Sequence, residues 1–279
     1  MNLNLDPLFT PVGKENSIDF QSFTFSGGEP HLKITSNLDA ISEVTITHRI
    51  NSFNDMGFVL IAVDALRRSG VKDINLVIPY FPAARQDRVM VAGESLSVKV
   101  YADLINHLQL KQVTIFDSHS EVAIALLDNC NAVTNHTFIS KVVDQIGPVK
   151  LVSPDGGALK KIYKVAAALG GMEVVEGSKS RDVKTGKLSG FKVYADDLGG
   201  ADCLVVDDIC DGGGTFMGLA AELKKKNVGK LYLAVSHGIF SKGLEALSEY
   251  FETVFTTDSI RNMDAHPQLV QIKLSDNLL

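Results

Sequence analysis

The sequence predicts an α/β protein of two domains, each a mostly parallel sheet flanked by helices. Three observations lead there. Short β-branched, apolar runs alternate along the chain with amphipathic stretches of helical period. That is the pattern of strand–helix units that cover a parallel sheet on both faces. The length, 279 residues, suits two domains of ordinary size. Finally, the conspicuous polar segments follow directly after apolar runs, where open α/β sheets place their ligand crevice.

The expected strands are Ile74–Tyr80, Gln112–Phe116, Lys150–Ser153, Met172–Val175, Cys203–Val206 and Lys230–Val235. A helix is expected over Asp55–Arg68, with Asn54 as N-cap, Arg67 and Arg68 in the last turn and Gly70 beyond the end. Ala158–Leu169 and Phe216–Lys226 carry the same period, the latter with Leu219, Ala220 and Leu223 on one face. The opening, up to about Ile50, lacks helical period and reads as hairpins. A boundary near Asp144–Pro148 gives domains 1–146 and 147–279, with αβ units on each side.

Composition narrows the function. Hydrophobic residues make up 45% and charged residues 22%, and with no Trp and 7% aromatics the core must be aliphatic. A net charge of −6 argues against a protein that coats nucleic acid. Cys130, Cys203 and Cys210 are odd in number and match no zinc or redox spacing. They read as reduced thiols of a cytoplasmic protein. The opening MNLNLDPLFT has neither the basic nor the apolar region of a signal peptide. No apolar run approaches the roughly 18 residues of a membrane span.

The most informative segment is Leu204-Val-Val-Asp-Asp-Ile-Cys-Asp-Gly-Gly-Gly-Thr215. An apolar strand ends in two carboxylates, and three glycines then lead through Thr215 into a helix. Glycines let backbone N–H groups turn inward around an anion, and a helix N-terminus adds positive potential. Gly212, Gly213, Gly214 and Thr215 are therefore shaped for a phosphate. Asp207 and Asp208 carry the wrong charge for that, but suit the vicinal hydroxyls of a sugar. No Lys follows the glycines, so this is not a Walker A loop. Ser153-Pro-Asp-Gly-Gly-Ala158 is a second strand–glycine–helix junction. It reads as another anion nest, or as a plain helix start with Asp155 as N-cap. Arg85-Gln-Asp-Arg88, His119 after Asp117, and Lys179-Ser-Arg181 also follow apolar runs. Taken singly they fit a charged loop, a structural histidine and a surface loop equally well. The pattern alone makes Phe25 a core aromatic.

Together these segments resemble the ribose-phosphate pyrophosphokinase (PRPP synthetase) family. The LVVDDICDGGGT segment is similar to the PRPP-binding motif that this family shares with the phosphoribosyltransferases. ARQDR (84–88), FDSHS (116–120), SPDGGA (153–158), KSR (179–181) and SHGIF (236–240) occur in the family's order, and FSGGE (25–29) and NDM (54–56) also fit. The resemblance spans about residues 20 to 260. It implies two phosphoribosyltransferase-type domains facing each other with the site between them, and Mg²⁺-dependent transfer of diphosphate from ATP to ribose 5-phosphate. It assigns ATP to Phe25, Glu29, Arg85, Gln86 and His119, and ribose 5-phosphate to Asp207, Asp208, Asp211, Gly212, Gly213, Gly214 and Thr215. It makes Asp155, Gly156, Gly157 and Ala158 the pyrophosphate loop, His119 and Asp155 the residues near Mg²⁺, and Lys179 and Arg181 the catalytic cations of a flexible loop running to about Gly190. It implies a homo-oligomer in which Phe25 and Glu29 reach a neighbour's ATP. Gly27 stands where members usually carry Asp or Asn, and VMVAGES after Arg88 is closer to archaeal members than to the charged run of many others. Two other readings remain on these residues. A phosphoribosyltransferase that consumes PRPP leaves RQDR, FDSHS and KSR without a role. A non-catalytic regulatory subunit has no need of Asp155, His119, Lys179 and Arg181 together.

Overall fold

A computed structural model describes residues 1–9, 17–181 and 188–275, except the side chains at 180, 181, 188 and 189. The chain forms two compact units. The first holds Met1–Thr134 with Ser259–Asn262 and the C-terminal residues from Lys273, and the second holds Asn135–Asp258 with Met263–Ile272.

In the first unit the elements run β1 (Asn2–Asn4), β2 (Phe20–Thr24), β3 (Pro30–Ile34), β4 (Glu43–Thr47), α1 (Phe53–Arg68), β5 (Asp73–Ile78), α2 (Ser97–His107), β6 (Gln112–Phe116), α3 (Glu121–Leu126) and β7 (Cys130–Val133). The main sheet has the order β1-β4-β5-β6-β7 and is parallel throughout. Its core is aliphatic as composition requires: Val44, Ile46, Leu76, Ile78 and Ile115 from the strands meet Val59, Ala62 and Leu66 of α1. The reading of the first 50 residues as hairpins needs correction. Only β2 and β3 form one, whereas β1 and β4 join the main sheet in parallel. Short strands with parallel partners far along the chain leave no local turn signal.

The cap of α1 also differs from expectation. Ser52, not Asn54, is the N-cap; its Oγ accepts from the Asp55 N–H (3.3 Å) and donates to Asp55 Oδ2 (2.9 Å). The same Asp55 oxygen accepts the Asn51 N–H at 2.9 Å. Asn54 lies inside the first turn. Asn51, Arg49 and Asn262 then hold the 259–262 segment to this unit. Asn51 Nδ2 donates to the Ile260 carbonyl, Arg49 Nη1 to Asn262 Oδ1, and Asn262 Nδ2 to the Leu8 carbonyl (3.0, 3.0 and 2.6 Å).

The second unit runs α4 (His136–Ile146), β8 (Lys150–Ser153), α5 (Leu159–Ala168), β9 (Val174–Arg181), β10 (Leu188–Val193), β11 (Cys203–Cys210), α6 (Gly214–Lys224), β12 (Leu231–Gly238), α7 (Glu245–Ser248), β13 (Thr253–Thr257) and β14 (Leu269–Ile272). The sequence sets its boundary after α4; the contacts join α4 to this unit. The sheet order is β10-β9-β8-β11-β12-β13-β14, and only the β9–β10 pair is antiparallel. Two strands run further than their apolar runs suggest. The β11–β12 ladder continues through Asp207↔Val235, Ile209↔His237 and Cys210↔Gly238, so Asp207 and Asp208 sit within a strand rather than after it. Likewise Lys179-Ser-Arg181 does not open a loop but ends β9, paired with β10. The flexible loop expected beyond it falls largely on 182–187, outside the described residues.

Ser52→Ala is expected to cost about 1 kcal/mol, the usual value of a lost N-cap, while Asn54→Ala leaves stability unchanged within a few tenths. Urea midpoints of the two variants check this; a larger loss at Asn54 would overturn the cap assignment.

Candidate active site

The polar segments gather at the C-terminal ends of the parallel strands in each unit, as the sheet geometry demands. In the first unit the loops after β5 and β6 meet. Asp87 is buried, and its pKa lies below the usual carboxylate range, chiefly through its hydrogen bond with Arg88. The charges of Arg88 and His119 act the same way, against burial, so the RQDR loop lies near Asp117–Ser120. The backbone turns sharply at both places, with Ala83 and Asp117 at φ 56° and 40°. Arg85 is exposed. Gln86 spends its amide on its own loop, donating to the carbonyls of Arg88 (3.2 Å) and Ser95 (3.3 Å). Asp87 is not among the expected site residues; its place between Arg85 and Arg88 in one short segment is the sequence signal for it.

Phe25 is not a core aromatic. It is 51% exposed at the turn of the β2–β3 hairpin, edge-on to Phe23 at 4.7 Å with His31 beside both. Gly28 (φ 96°) closes the turn with its N–H on the Phe25 carbonyl. Glu29 folds back over Gly27: its Oε2 lies 2.5 Å from where a Gly27 Cβ would stand.

In the second unit a loop and a helix start converge on Lys179 of β9. Its Nζ lies 2.7 Å from Asp155 Oδ2 in the loop after β8, and donates to Thr215 Oγ1 (3.1 Å) at the start of α6. Asp155 Oδ1 accepts the N–H groups of Gly157 (2.9 Å) and Ala158 (3.1 Å). Those two nest donors are therefore turned onto the chain's own carboxylate; the N-cap of α5 is Ala158, not Asp155, which lies three residues earlier. Burial acts to raise the Asp155 pKa, but the Lys179 hydrogen bond and charge and the two backbone donors outweigh it, and it falls below the usual range.

In β11 the neighbouring acids have the opposite balance. The Asp207 pKa is pushed well up, first by removal from water, then by the charge and hydrogen bond of Asp208 and by the charge of Asp155. Two carboxylates this close oppose each other's ionisation. Beyond them Asp211 Oδ1 accepts from Ser241 Oγ (2.6 Å). Gly213, at φ 76°, is the N-cap of α6, a left-handed position that glycine fills without strain. Leu247 packs 3.1 Å from where its Cβ would be. Gly214 and Thr215 then open α6, where the first N–H groups have no intrahelical acceptor. The Arg181 side chain lies outside the described part.

Among the described residues no three His, Cys, Asp or Glu side chains could hold a metal. Asp155 nevertheless presents an ionised carboxylate beside an anion loop. That fits a cation such as Mg²⁺, which takes one or two carboxylates and fills its shell with waters and phosphate oxygens.

The comparisons with known proteins agree with this geometry. Residues 125–268 match the model described as the phosphoribosyl transferase domain. Residues 14–108 match the N-terminal domain of ribose phosphate pyrophosphokinase. The chain is thus of the phosphoribosyltransferase class by its second half. Its relatives are more specific. A ribose-phosphate pyrophosphokinase of Vibrio cholerae is 30% identical over 91% of this chain and 83% of its own length. One of Aquifex aeolicus is 32% identical over 78% and 71%, and one of Thermococcus kodakarensis 29% over 85% and 84%. The phosphoribosylpyrophosphate synthetase structure from Mycobacterium smegmatis shares the fold, with a TM-score of 0.84 at 22% identity over 100% of this chain and 95% of that one. The chain belongs to the ribose-phosphate pyrophosphokinase family.

Because its folded pKa is raised, Asp207 contributes stability that is fully present below its unfolded pKa of about 4 and is lost as pH rises through the folded value. Asp207→Asn removes that loss. Its melting temperature, relative to the unchanged chain, is expected to climb as pH rises above about 4. Parallel melting curves across that range would show that Asp207 ionises as easily folded as unfolded.

Proposed function

We propose that the chain transfers the β,γ-diphosphate of ATP to the C1 hydroxyl of ribose 5-phosphate, giving PRPP and AMP. The observation that carries this reading is the Lys179 ammonium, held between the two loops proposed for phosphates, in a chain whose two halves both match the family. Ribose 5-phosphate is assigned to Asp207, Asp208 and the loop Asp211–Thr215. The acid pair bonds the sugar hydroxyls, and Gly212 to Thr215 take the 5-phosphate. ATP is assigned to Arg85, Gln86 and His119, with its base against Phe25 and Glu29 of a second copy. The diphosphate lies on Asp155 to Ala158, whose N–H groups it gains when Asp155 turns away.

In the reaction the C1 oxygen bonds to the β-phosphorus. The bond from that phosphorus to the α-phosphate oxygen breaks, its electron pair leaves with AMP, and the hydroxyl proton passes to solvent water. A loose phosphoryl transition state needs little help from a base. It needs cations where negative charge shifts, and Lys179 with Arg181 fills that role. Mg²⁺, carried by the nucleotide phosphates and held at Asp155 and His119, would neutralise those phosphates.

Formation of AMP from ATP and ribose 5-phosphate, without a nucleobase, tests the reading; a chain that turns over only PRPP and a base would be a phosphoribosyltransferase instead. Lys179→Ala and Arg181→Ala are each expected to lower kcat by roughly 10²-fold, the scale of one lost transition-state donor. Retained kcat with lost affinity would make the pair a binding clamp. Dilution should reduce particle size and activity together, and a fully active monomer would remove the role given to Phe25 and Glu29.

A further inference from the structure

The loop proposed for the 5-phosphate has an electrostatic deficit. From Leu204 to Leu223 the chain carries Asp207, Asp208, Asp211 and Glu222 but no lysine or arginine. A phosphate dianion placed there meets three carboxylates in the strand and loop alone, so cations must come from other elements. Lys179 is one, at Thr215. The SHGIF segment brings another. After β12 the Ile239 and Phe240 N–H groups donate to the Cys210 carbonyl (2.9 and 3.1 Å), and Ser241 N–H to the Asp211 carbonyl (3.1 Å). Ser241 Oγ adds the bond to Asp211 described above. Phe240 is buried and anchors a turn closed by the Gly243 N–H on its carbonyl (3.0 Å). At the outer corner of that turn the stem of Lys242 lies on the glycine loop: its Cδ and Cε are each 3.4 Å from where a Gly212 Cβ would be. The side chain is exposed, and it makes no hydrogen bond or ion pair with a described residue. A Cβ at 212 would just touch this stem, so only a larger side chain there would crowd it.

We propose that Lys242 is a ribose 5-phosphate-binding residue, whose ammonium closes over the 5-phosphate from the side opposite the helix start. This rests on the assignment of that phosphate to Gly212–Thr215. The turn at 240–243 acts as its mount, and the absence of a side chain at Gly212 lets the cation approach. Lys242 balances the charge that Asp211 brings to the loop, while Ser241 keeps the Asp211 carboxylate engaged.

Calorimetric titration of the full chain with ribose 5-phosphate, at low ionic strength, tests the proposal in Lys242→Ala, Lys242→Arg and, as a control for the loop itself, Thr215→Val. Lys242→Ala should weaken binding about tenfold, the usual scale of a hydrogen bond to a charged group, and Lys242→Arg should restore most of it. The tenfold gap should shrink in 0.5 M salt, since the site is open to solvent. Unchanged affinity in Lys242→Ala, with Thr215→Val weakened, would overturn the role of Lys242 and leave the loop assignment standing. Lys242→Met keeps an unbranched stem without the charge, and retained affinity there would make the stem's packing on Gly212 the cause and overturn the charge role. No binding by the unchanged chain would remove the loop assignment and this proposal with it.

Discussion

The parallel ladder between β11 and β12 is the constraint on which the second unit's chemistry depends. Its register runs unbroken from Cys203↔Leu231 to Val206↔Ala234 and on to Cys210↔Gly238. Parallel strands emit their next loops at the same edge, so the glycine loop and the SHGIF turn must leave side by side. β8 pairs with the other side of β11, through Leu151↔Leu204, and sends Asp155 out at that edge too. A one-residue slip in either pairing would turn Asp207 and Asp208 to the opposite faces. The apolar burial beneath, with Val205, Leu219, Leu233 and Val235 essentially inaccessible to water, makes such a slip costly.

Charge is distributed over this edge with a logic of its own. The acids sit on strand β11, where the ladder immobilises them; the cations reach in from β9 and from the turn after β12. The Asp155 carboxyl is held below the usual range against its burial by the lysine that faces it, whereas burial, with a neighbouring acid added, pushes the Asp207 carboxyl up. The first is suited to a cation and the second to a sugar hydroxyl. In the first unit Asp87 does the structural counterpart, using a buried charge to pin two loops by their basic residues.

Much of this was legible in the sequence because it rests on local signals. Gln112–Phe116 and Lys150–Ser153 are strands with those bounds, since both are short β-branched runs ended by polar residues or turn formers. The three-glycine loop announced the start of α6. What was not legible depends on partners far along the chain. Nothing near Asp207 says that the ladder continues past it; Val235 and His237 say so, 28 residues later. β1 and β4 look like hairpin strands until each finds a parallel neighbour. Phe25 looks like core because exposure is a property of the hairpin's surroundings and not of the residue. The cap at Ser52 lost to Asn54 in the reading because both residue types cap helices, and only the reciprocal bond to Asp55 separates them.

The turn of the β2–β3 hairpin bears on how this chain can change. Glu29 fills the volume that any side chain at Gly27 would need, so the two positions do not vary independently. The atoms in the way are the far end of a flexible side chain, so an acid at 27 would displace the Glu29 carboxylate rather than exclude it. The direction in which Glu29 reaches from the turn is thus set by what stands at 27.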